Sequence, residues 1–198
     1  MSRILVVRHG ESEWNAAGRW QGQQDPPLTA LGRRQALAAA ANLGVVDEIV
    51  ASDLQRAAET AALVAEHLGI GPVHVDARIR ERHAGPWEGL TRAEIDALYP
   101  GFLGEGRRPT GWEDDDVLVA RARGFLVELA AGLDGGDALA FSHGGVIRAL
   151  ERLLGADNQP IPNLGARWFE VVGDEIGLGE RVLLIDPDDV EVTIPGQI

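Results

Sequence analysis

A chain of 198 residues, 45% of them hydrophobic, has the size and composition of one soluble globular domain with a sizeable core. Its net charge of −13 argues against a nucleic-acid partner and against binding to anionic membrane surfaces. All 18 basic residues are arginine and cysteine is absent, which excludes disulfides, thiolate nucleophiles and Schiff bases on lysine. No apolar run reaches membrane-spanning length and the first residues do not resemble a signal peptide, so we expect a cytoplasmic protein.

The first part of the chain alternates between strand and helix patterns. The predicted elements are a strand at 3–7, a helix at 31–43, a strand at 48–51, a helix at 57–68 and a strand at 72–75. Thr29 is a candidate N-cap for the first helix, and Gly44 and Gly69 are candidate helix ends. Residues 13–22, rich in Gly, Asn and Gln, are predicted to form a loop. This β-α-β-α-β order indicates a parallel sheet with right-handed crossovers.

The alternation stops at Asp76. Residues 76–116 are rich in Pro and Gly and contain one short helical pattern near 92–98, so we interpret them as an insertion that covers the strand ends and could act as a lid. The remaining predicted elements are a helix from the acidic residues 113–116 to 133, a strand at 138–141, a helix at 146–154, and late strands at 167–172 and 181–185. Without a linker or repeat, we expect a single domain over residues 1–198.

Polar residues follow three of the predicted strands, at the point where each strand ends. These sets are Arg8-His9, Ser52 to Arg56 and Ser142-His143-Gly144, and a fourth set, Arg78 to His83, opens the insertion. Because ligands of open α/β sheets bind outside the carboxyl ends of the strands, we expect these residues to share a pocket.

These residue types suit the transfer of a phosphoryl group. A neutral His9 can attack phosphorus and form a phosphohistidine. Arg8 and Arg56 can bind the phosphoryl oxygens and disfavour protonation of His9. Glu81 can protonate the leaving oxygen and then activate water. The helix that begins near Gly144 adds backbone N–H donors for an anion, and the arginines supply positive charge without a metal or other cofactor.

Four sequence blocks, in order and at fitting spacings, resemble the signature of the histidine phosphatase (phosphoglycerate mutase-like) superfamily. They are Arg8-His9-Gly10-Glu11-Ser12 with Asn15, Arg19 and Gln21; residues 52–60; residues 78–89; and residues 142–148. One Arg-His-Gly triplet would be a weak signal, whereas four ordered blocks between residues 4 and 154 are a specific one.

The resemblance implies a fold and a set of site residues. The fold is a three-layer α/β sandwich with helices on both faces of a mostly parallel six-stranded sheet, in which one antiparallel strand lies near an edge. The implied catalytic set is His9 as phosphorylated nucleophile, Glu81 as proton donor, and Arg8, Arg56 and His143 as the phosphate pocket. The positions implied to bind substrate are Asn15, Gln21 and Arg92, the last of which lies where the mutase branch usually has a lysine.

We interpret the chain as a metal-independent phosphatase that hydrolyses small phosphomonoesters through a phosphohistidine. A bisphosphate-dependent phosphoglycerate mutase is the alternative enzyme, for which Arg107-Arg108 could bind the substrate carboxylate; the insertion is shorter than in that branch. A catalytically silent scaffold that binds phospholigands is disfavoured by the intact catalytic set. The sequence Gly111-Trp112-Glu113-Asp114 departs from the Gly-Glu-Ser usual in family phosphatases. We expect a small phosphorylated metabolite as partner, and an edge strand or the C-terminal tail could mediate a homodimer.

Overall fold

The computed structural model describes residues 1–196, in which six strands form one sheet. The strands are β1 (Ser2–Arg8), β2 (Glu48–Ala51), β3 (His74–Val75), β4 (Asp137–Ser142), β5 (Gly165–Val172) and β6 (Glu175–Leu183). Their order across the sheet is β3-β2-β4-β1-β5-β6. The pairs β2–β3, β2–β4 and β1–β4 are parallel, whereas β5 is antiparallel to both β1 and β6. Only β5 therefore runs against the other described strands, which confirms the expected fold class.

Helices cover both faces of this sheet. They are α1 (Glu13–Ala16), α2 (Ala30–Ala41), α3 (Gln55–Leu68), α4 (Arg92–Leu98), α5 (Asp115–Leu133) and α6 (Gly144–Leu153), with short 3₁₀ turns at Ala77–Ile79 and Gly85–Trp87. Along β1, Ile4 and Val6 belong to one buried cluster and Leu5 and Val7 to another. The first cluster packs under α5 and α6, and the second under α2 and α3. The continuous apolar run of β1 thus reflects burial on both of its faces.

The predicted helix ends rest on local hydrogen bonds that the sequence signals. Thr29 caps α2, because its side chain accepts a hydrogen bond from the N–H of Gly32. Gly69 ends α3 in the left-handed conformation, with φ at 68°. The helix α2, however, ends at Ala41 and not near Gly44. A run of alanines supplies helix propensity but does not mark its own end.

Three further elements differ from the sequence prediction. Strand β6 begins at Glu175, six residues before the predicted start at 181, because it pairs with β5 directly across a tight hairpin. The predicted loop at 13–22 contains α1, whose N-terminus is stabilised by a capping box of Ser12 and Asn15. Strand β3 is only two residues long and exposed at the sheet edge.

The segment predicted as an insertion packs over the carboxyl ends of the strands. Ala84 and Trp112 pair there as an isolated bridge, and a third apolar cluster forms around Trp20, Trp87 and Ile95. This cluster anchors the segment to the loop that follows β1. In the part of the chain that the structure describes, no helix is long and apolar enough to cross a membrane.

Candidate active site

The parallel strands β1, β2 and β4 end side by side and deliver three polar side chains to one edge of the sheet. The N–H of His9 donates to Ser142 (3.1 Å), and the N–H of Ser52 donates to Phe141 (2.8 Å). His143 follows directly after β4. The predicted convergence of the strand ends therefore brings His9, Ser52 and His143 together.

His9 is buried and held as a neutral imidazole. Its ring Nδ1 lies 2.6 Å from the carbonyl oxygen of Gly10, so the ring proton sits on Nδ1 and the Nε2 lone pair remains. Nε2 accepts a hydrogen bond from Nε of Arg56 (3.2 Å). Burial first, and then the charges of Arg56 and Arg8, hold the pKa of His9 well below its usual value. The imidazole is therefore uncharged at neutral pH.

Two buried guanidinium groups flank this imidazole. The nitrogens Nη1 and Nη2 of Arg56 donate to the carbonyls of Gln24 (2.8 Å) and Gly22 (2.9 Å). Nη1 of Arg8 donates to the carbonyl of Ile161 (2.6 Å), while its buried Nε has no hydrogen-bond partner among residues 1–196. Burial lowers the pKa of each guanidinium to about 10, so both stay charged at neutral pH. The pair can neutralise a phosphoryl dianion at His9.

Glu81 is oriented by backbone donors. Its Oε1 accepts from the N–H of Arg82 (2.7 Å), and its Oε2 accepts from the N–H of Gly145 (3.0 Å) in the first turn of α6. The carboxyl group is nearly buried and lines the same cavity as His9. It is thus placed to exchange a proton with a group that reacts there.

His143 supplies a second neutral imidazole. Its ring centroid lies 5.2 Å from that of His9, and its Nε2 lies 2.9 Å from Oγ of Ser52. Burial, and then the charge of Arg56, keep the pKa of His143 well below its usual value. Its buried Nδ1 has no hydrogen-bond partner in the described part of the chain. When the Ser52 hydroxyl donates to Nε2, this Nδ1 carries the proton and can donate it to a phosphoryl oxygen.

The predicted substrate-binding residues divide into three near the site and one away from it. Gln21 lines the cavity, and its Oε1 accepts from Oγ of Ser12 (2.7 Å). Asn15 is buried in α1 and does not line the cavity; its Oδ1 accepts from Nδ2 of Asn163 (3.3 Å), which also donates to the carbonyl of His9 (2.8 Å). Gly144 lies against Arg8, because a Cβ at this position would come within 3.2 Å of Nη1. Arg92 is exposed at the start of α4 and is not among the residues that line the cavity, so the structure does not bring it to His9.

The site opens into a cavity of about 530 Å³, larger than a phosphate ion needs. His9, Arg8, Arg56 and Glu81 line one part of it, and Trp20 and Trp112 line another. The remaining charged lining residues are Arg82, Arg108, Asp114, Asp115, Arg148 and Arg152. The sequence analysis assigned Asp114 and Asp115 only to the start of a helix and did not single out Arg152, because these residues lie outside the strand ends. Within residues 1–196, no group of three or more His, Asp and Glu side chains could hold a metal ion.

Comparisons with known proteins agree with this geometry. Residues 4–172 match the model of the histidine phosphatase superfamily (branch 1). A glucosyl-3-phosphoglycerate phosphatase of Mycobacterium tuberculosis is 42% identical over 167 residues, covering 77% of this chain and 74% of its own. Phosphoglycerate mutase-like protein 4 of Arabidopsis thaliana is 36% identical, covering 75% of this chain and 69% of its own.

Among solved structures, a mycobacterial glucosyl-3-phosphoglycerate phosphatase in complex with VO3 superimposes with a TM-score of 0.81. It is 35% identical, and the match covers 90% of this chain and 97% of that one. The family match covers more than half of the sequence and includes every strand end that carries a site residue. The chain therefore belongs to branch 1 of the histidine phosphatase superfamily.

Proposed function

We propose that this protein is a phosphatase that hydrolyses small phosphomonoesters through a phosphohistidine at His9, without a metal ion. The observation that carries the proposal is the neutral His9 imidazole between two buried guanidinium groups, with Glu81 in the same cavity. The similarity to a named phosphatase over three quarters of the chain supports hydrolysis over isomerisation.

The reaction divides into two steps. In the first, Nε2 of His9 attacks phosphorus, the ester P–O bond breaks, and the acid form of Glu81 gives its proton to the leaving oxygen. Arg8 and Arg56 neutralise the phosphoryl oxygens. In the second, water attacks phosphorus and the P–N bond to His9 breaks, while the Glu81 carboxylate takes a proton from the water; phosphate leaves, and neutral His9 and the acid form of Glu81 are restored.

A His9→Ala variant tests the nucleophile. It should lose essentially all hydrolysis of p-nitrophenyl phosphate and all acid-labile labelling by a ³²P-phosphate ester, because the other imidazole of the site, His143, has its Nε2 engaged by Ser52 and its Nδ1 protonated. His67→Ala, at an exposed position of α3, is the matched control and should keep both. Wild-type turnover of p-nitrophenyl phosphate should be unchanged by a metal chelator, because the proposed reaction uses no metal ion. Turnover by His9→Ala close to the wild-type rate would overturn the mechanism, and interconversion of 2- and 3-phosphoglycerate that depends on the bisphosphate would favour the mutase.

We further propose that the substrate carries a second anionic group beside its phosphate. Arg108 lines the cavity with its guanidinium carbon 5.0 Å from the ring centroid of Trp112, and no described carboxylate forms an ion pair with it. Burial and the charge of Arg82 lower the pKa of Arg108. By contrast, Arg82 and Arg152 both pair with Asp115. Arg108 is thus a cation that an anionic substrate group would meet, as a phosphorylated carboxylic acid provides.

Neighbouring arginines give a matched test of this substrate class. Arg108→Met should raise KM about tenfold for 3-phosphoglycerate and for glucosyl-3-phosphoglycerate, since a charge-assisted hydrogen bond is lost. KM for p-nitrophenyl phosphate, which has no second anion, should stay the same. Arg107→Met is the control, because Arg107 pairs with Glu105 and does not line the cavity. Equal effects on both substrates would rule out an anion-binding role for Arg108.

We also propose that the protein acts in the cytoplasm on a small phosphorylated metabolite. Movement of residues 76–116 as a lid on a single domain, and a homodimer through the edge strand β6 or the C-terminal tail, stay predictions of the sequence. Size-exclusion chromatography with light scattering tests the dimer.

A further inference from the structure

Each of the two peptide groups that follow His9 forms hydrogen bonds through both its carbonyl oxygen and its N–H. In the peptide between His9 and Gly10, the carbonyl of His9 accepts from Nδ2 of Asn163 (2.8 Å), and the N–H of Gly10 donates to Oγ1 of Thr60 (3.1 Å). In the peptide between Gly10 and Glu11, the carbonyl of Gly10 accepts from Nδ1 of His9. The N–H of that second peptide donates to a side chain far along the chain, that of Gln35.

This last contact bears on the imidazole itself. The N–H of Glu11 and the carbonyl of Gly10 belong to one planar trans peptide and point in opposite directions. Oε1 of Gln35, 2.8 Å from that N–H, therefore fixes the plane whose carbonyl binds the ring proton of His9. That carbonyl keeps the proton on Nδ1 and sets the direction of Nε2. Gln35 thus acts on the reacting nitrogen without touching the substrate.

Gln35 is in turn oriented by the C-terminal segment. The side chain is fully buried, and its Nε2 donates to the carbonyl of Glu191 (2.9 Å) and to Oγ1 of Thr193 (3.1 Å). Because Nε2 of Gln35 faces two acceptors and Oε1 faces a donor, only one orientation of the side-chain amide satisfies all three hydrogen bonds. The same Thr193 hydroxyl donates to Oδ1 of Asn163 (2.8 Å). One hydroxyl therefore joins both amides that hold the backbone around His9.

We infer that Gln35, Asn163 and Thr193 are positioning residues for the nucleophile, and that residues 191–193 belong to the catalytic framework although they lie in the tail of the chain. The inference rests on the proposed role of His9 in phosphoryl transfer. It assigns these residues one task, which is to hold the His9 proton on Nδ1 and direct Nε2 toward phosphorus. Thr193 is the most useful point of attack, because it is half-buried and its hydroxyl serves both amides.

The test compares Thr193→Val with Thr193→Ser in the full-length protein. Valine keeps the shape and loses the hydroxyl, whereas serine keeps the hydroxyl. For p-nitrophenyl phosphate, kcat of Thr193→Val should fall about tenfold with KM within about twofold, because misdirection of a reacting group lowers the rate more than it weakens binding. Thr193→Ser should restore most of kcat. In ¹⁵N-histidine spectra of Thr193→Val, a fraction of the molecules should carry the His9 ring proton on Nε2. In the wild type, His9 should carry it on Nδ1 only.

Asn42→Ala controls for loss of stability alone. Asn42 ties α2 to the carbonyl of Leu184 (3.0 Å), which secures the same C-terminal region at a point away from His9. It should lower the melting temperature and leave kcat and the His9 spectrum unchanged. A Thr193→Val protein with wild-type kcat would overturn the inference. So would parallel losses of kcat in Thr193→Val, Thr193→Ser and Asn42→Ala. If the wild type proves inactive, the proposed function fails by itself, and an unchanged His9 spectrum in Thr193→Val overturns the positioning role independently.

Discussion

At the scale of single residues, Glu81 is the group whose two proposed roles can be separated. Both of its oxygens accept backbone hydrogen bonds, from Arg82 and Gly145, so its position does not depend on a neighbouring side chain. The first step needs its proton only when the leaving oxygen is a poor leaving group. The second step needs its carboxylate for every substrate, because the phosphoenzyme is always the same.

Glu81→Gln should therefore act differently on the two steps. With p-nitrophenyl phosphate, it should release about one equivalent of nitrophenol in a burst and then turn over at least about a hundredfold more slowly than the wild type, since a general acid–base group contributes about 10²- to 10⁴-fold. With an alkyl phosphate the burst should be absent, because an alkoxide that receives no proton is a poor leaving group and the first step itself becomes slow. Rapid-quench kinetics measure both. An absent burst with the aryl ester would assign the proton transfers to another residue.

The residues of the site differ in how far sequence could identify them. His9, Arg8 and Arg56 stand in motifs at strand or helix boundaries, so local pattern and topology place them together. The amide residues of the positioning network do not, because Gln35 lies in the middle of α2, and Asn163 and Thr193 follow in loops more than a hundred residues later. Such contacts depend on tertiary packing, which leaves no local signal.

At the scale of elements, the first turn of α6 approaches Glu81 and Arg8 through its two glycines. A Cβ at Gly145 would lie 2.1 Å from Oε1 of Glu81, and one at Gly144 would lie 3.2 Å from Nη1 of Arg8. The helix can therefore approach both of these side chains closely. That closeness lets the N–H of Gly145 bind Glu81 at 3.0 Å.

Gly145→Ala should lower the turnover rate without unfolding the protein. The added methyl displaces the end of the flexible Glu81 side chain, so turnover of alkyl phosphates should fall at least about tenfold. Alanine favours the helical conformation by up to about 1 kcal/mol over glycine, which offsets the cost of moving Glu81. Kinetics and thermal melting measure the two effects.

Gly124→Ala in α5 is the control for helix propensity. A Cβ there has no neighbour within 4 Å, so this variant should match or exceed the wild type in stability and keep full activity. If Gly145→Ala keeps full activity too, the close approach of α6 to Glu81 does not matter for catalysis.

Among the elements, β2 was predicted residue for residue and α3 was predicted to its end before Gly69, where the sequence carries a local signal. Strand β6 was placed too late, because its glycine-rich beginning has little β propensity of its own and gains its conformation from pairing with β5. Predictions from local pattern thus fail where a neighbouring strand decides the structure.

At the scale of the whole molecule, an acidic chain keeps two uncharged histidines and two charged arginines buried in one place. Burial is the largest cause of the lowered pKa of both His9 and His143, and each also faces Arg56 and Arg8. The unfolded chain exposes both imidazoles to water, where a histidine has a pKa of about 6.5. Folding therefore excludes two protons that the unfolded state binds at mildly acidic pH.

The free energy of unfolding should consequently fall as the pH decreases through this range. Because the folded-state pKa of each histidine is lowered, its contribution is fully present above pH 6.5 and is lost toward the folded-state pKa. Between pH 7.5 and 5.5, the two histidines together should lower the free energy of unfolding by about 3 kcal/mol.

Urea unfolding of the wild type and of His143→Gln at these two pH values separates the histidines from other causes. The measurement uses a phosphate-free buffer, because an anion bound at Arg8 and Arg56 would stabilise only the folded state. His143→Gln should lose about half of the pH dependence, whatever its stability at pH 7.5. A wild type whose unfolding free energy is the same at both pH values would mean that His9 and His143 take up protons in the folded protein. In that case His9 would not be the neutral nucleophile on which phosphoryl transfer depends.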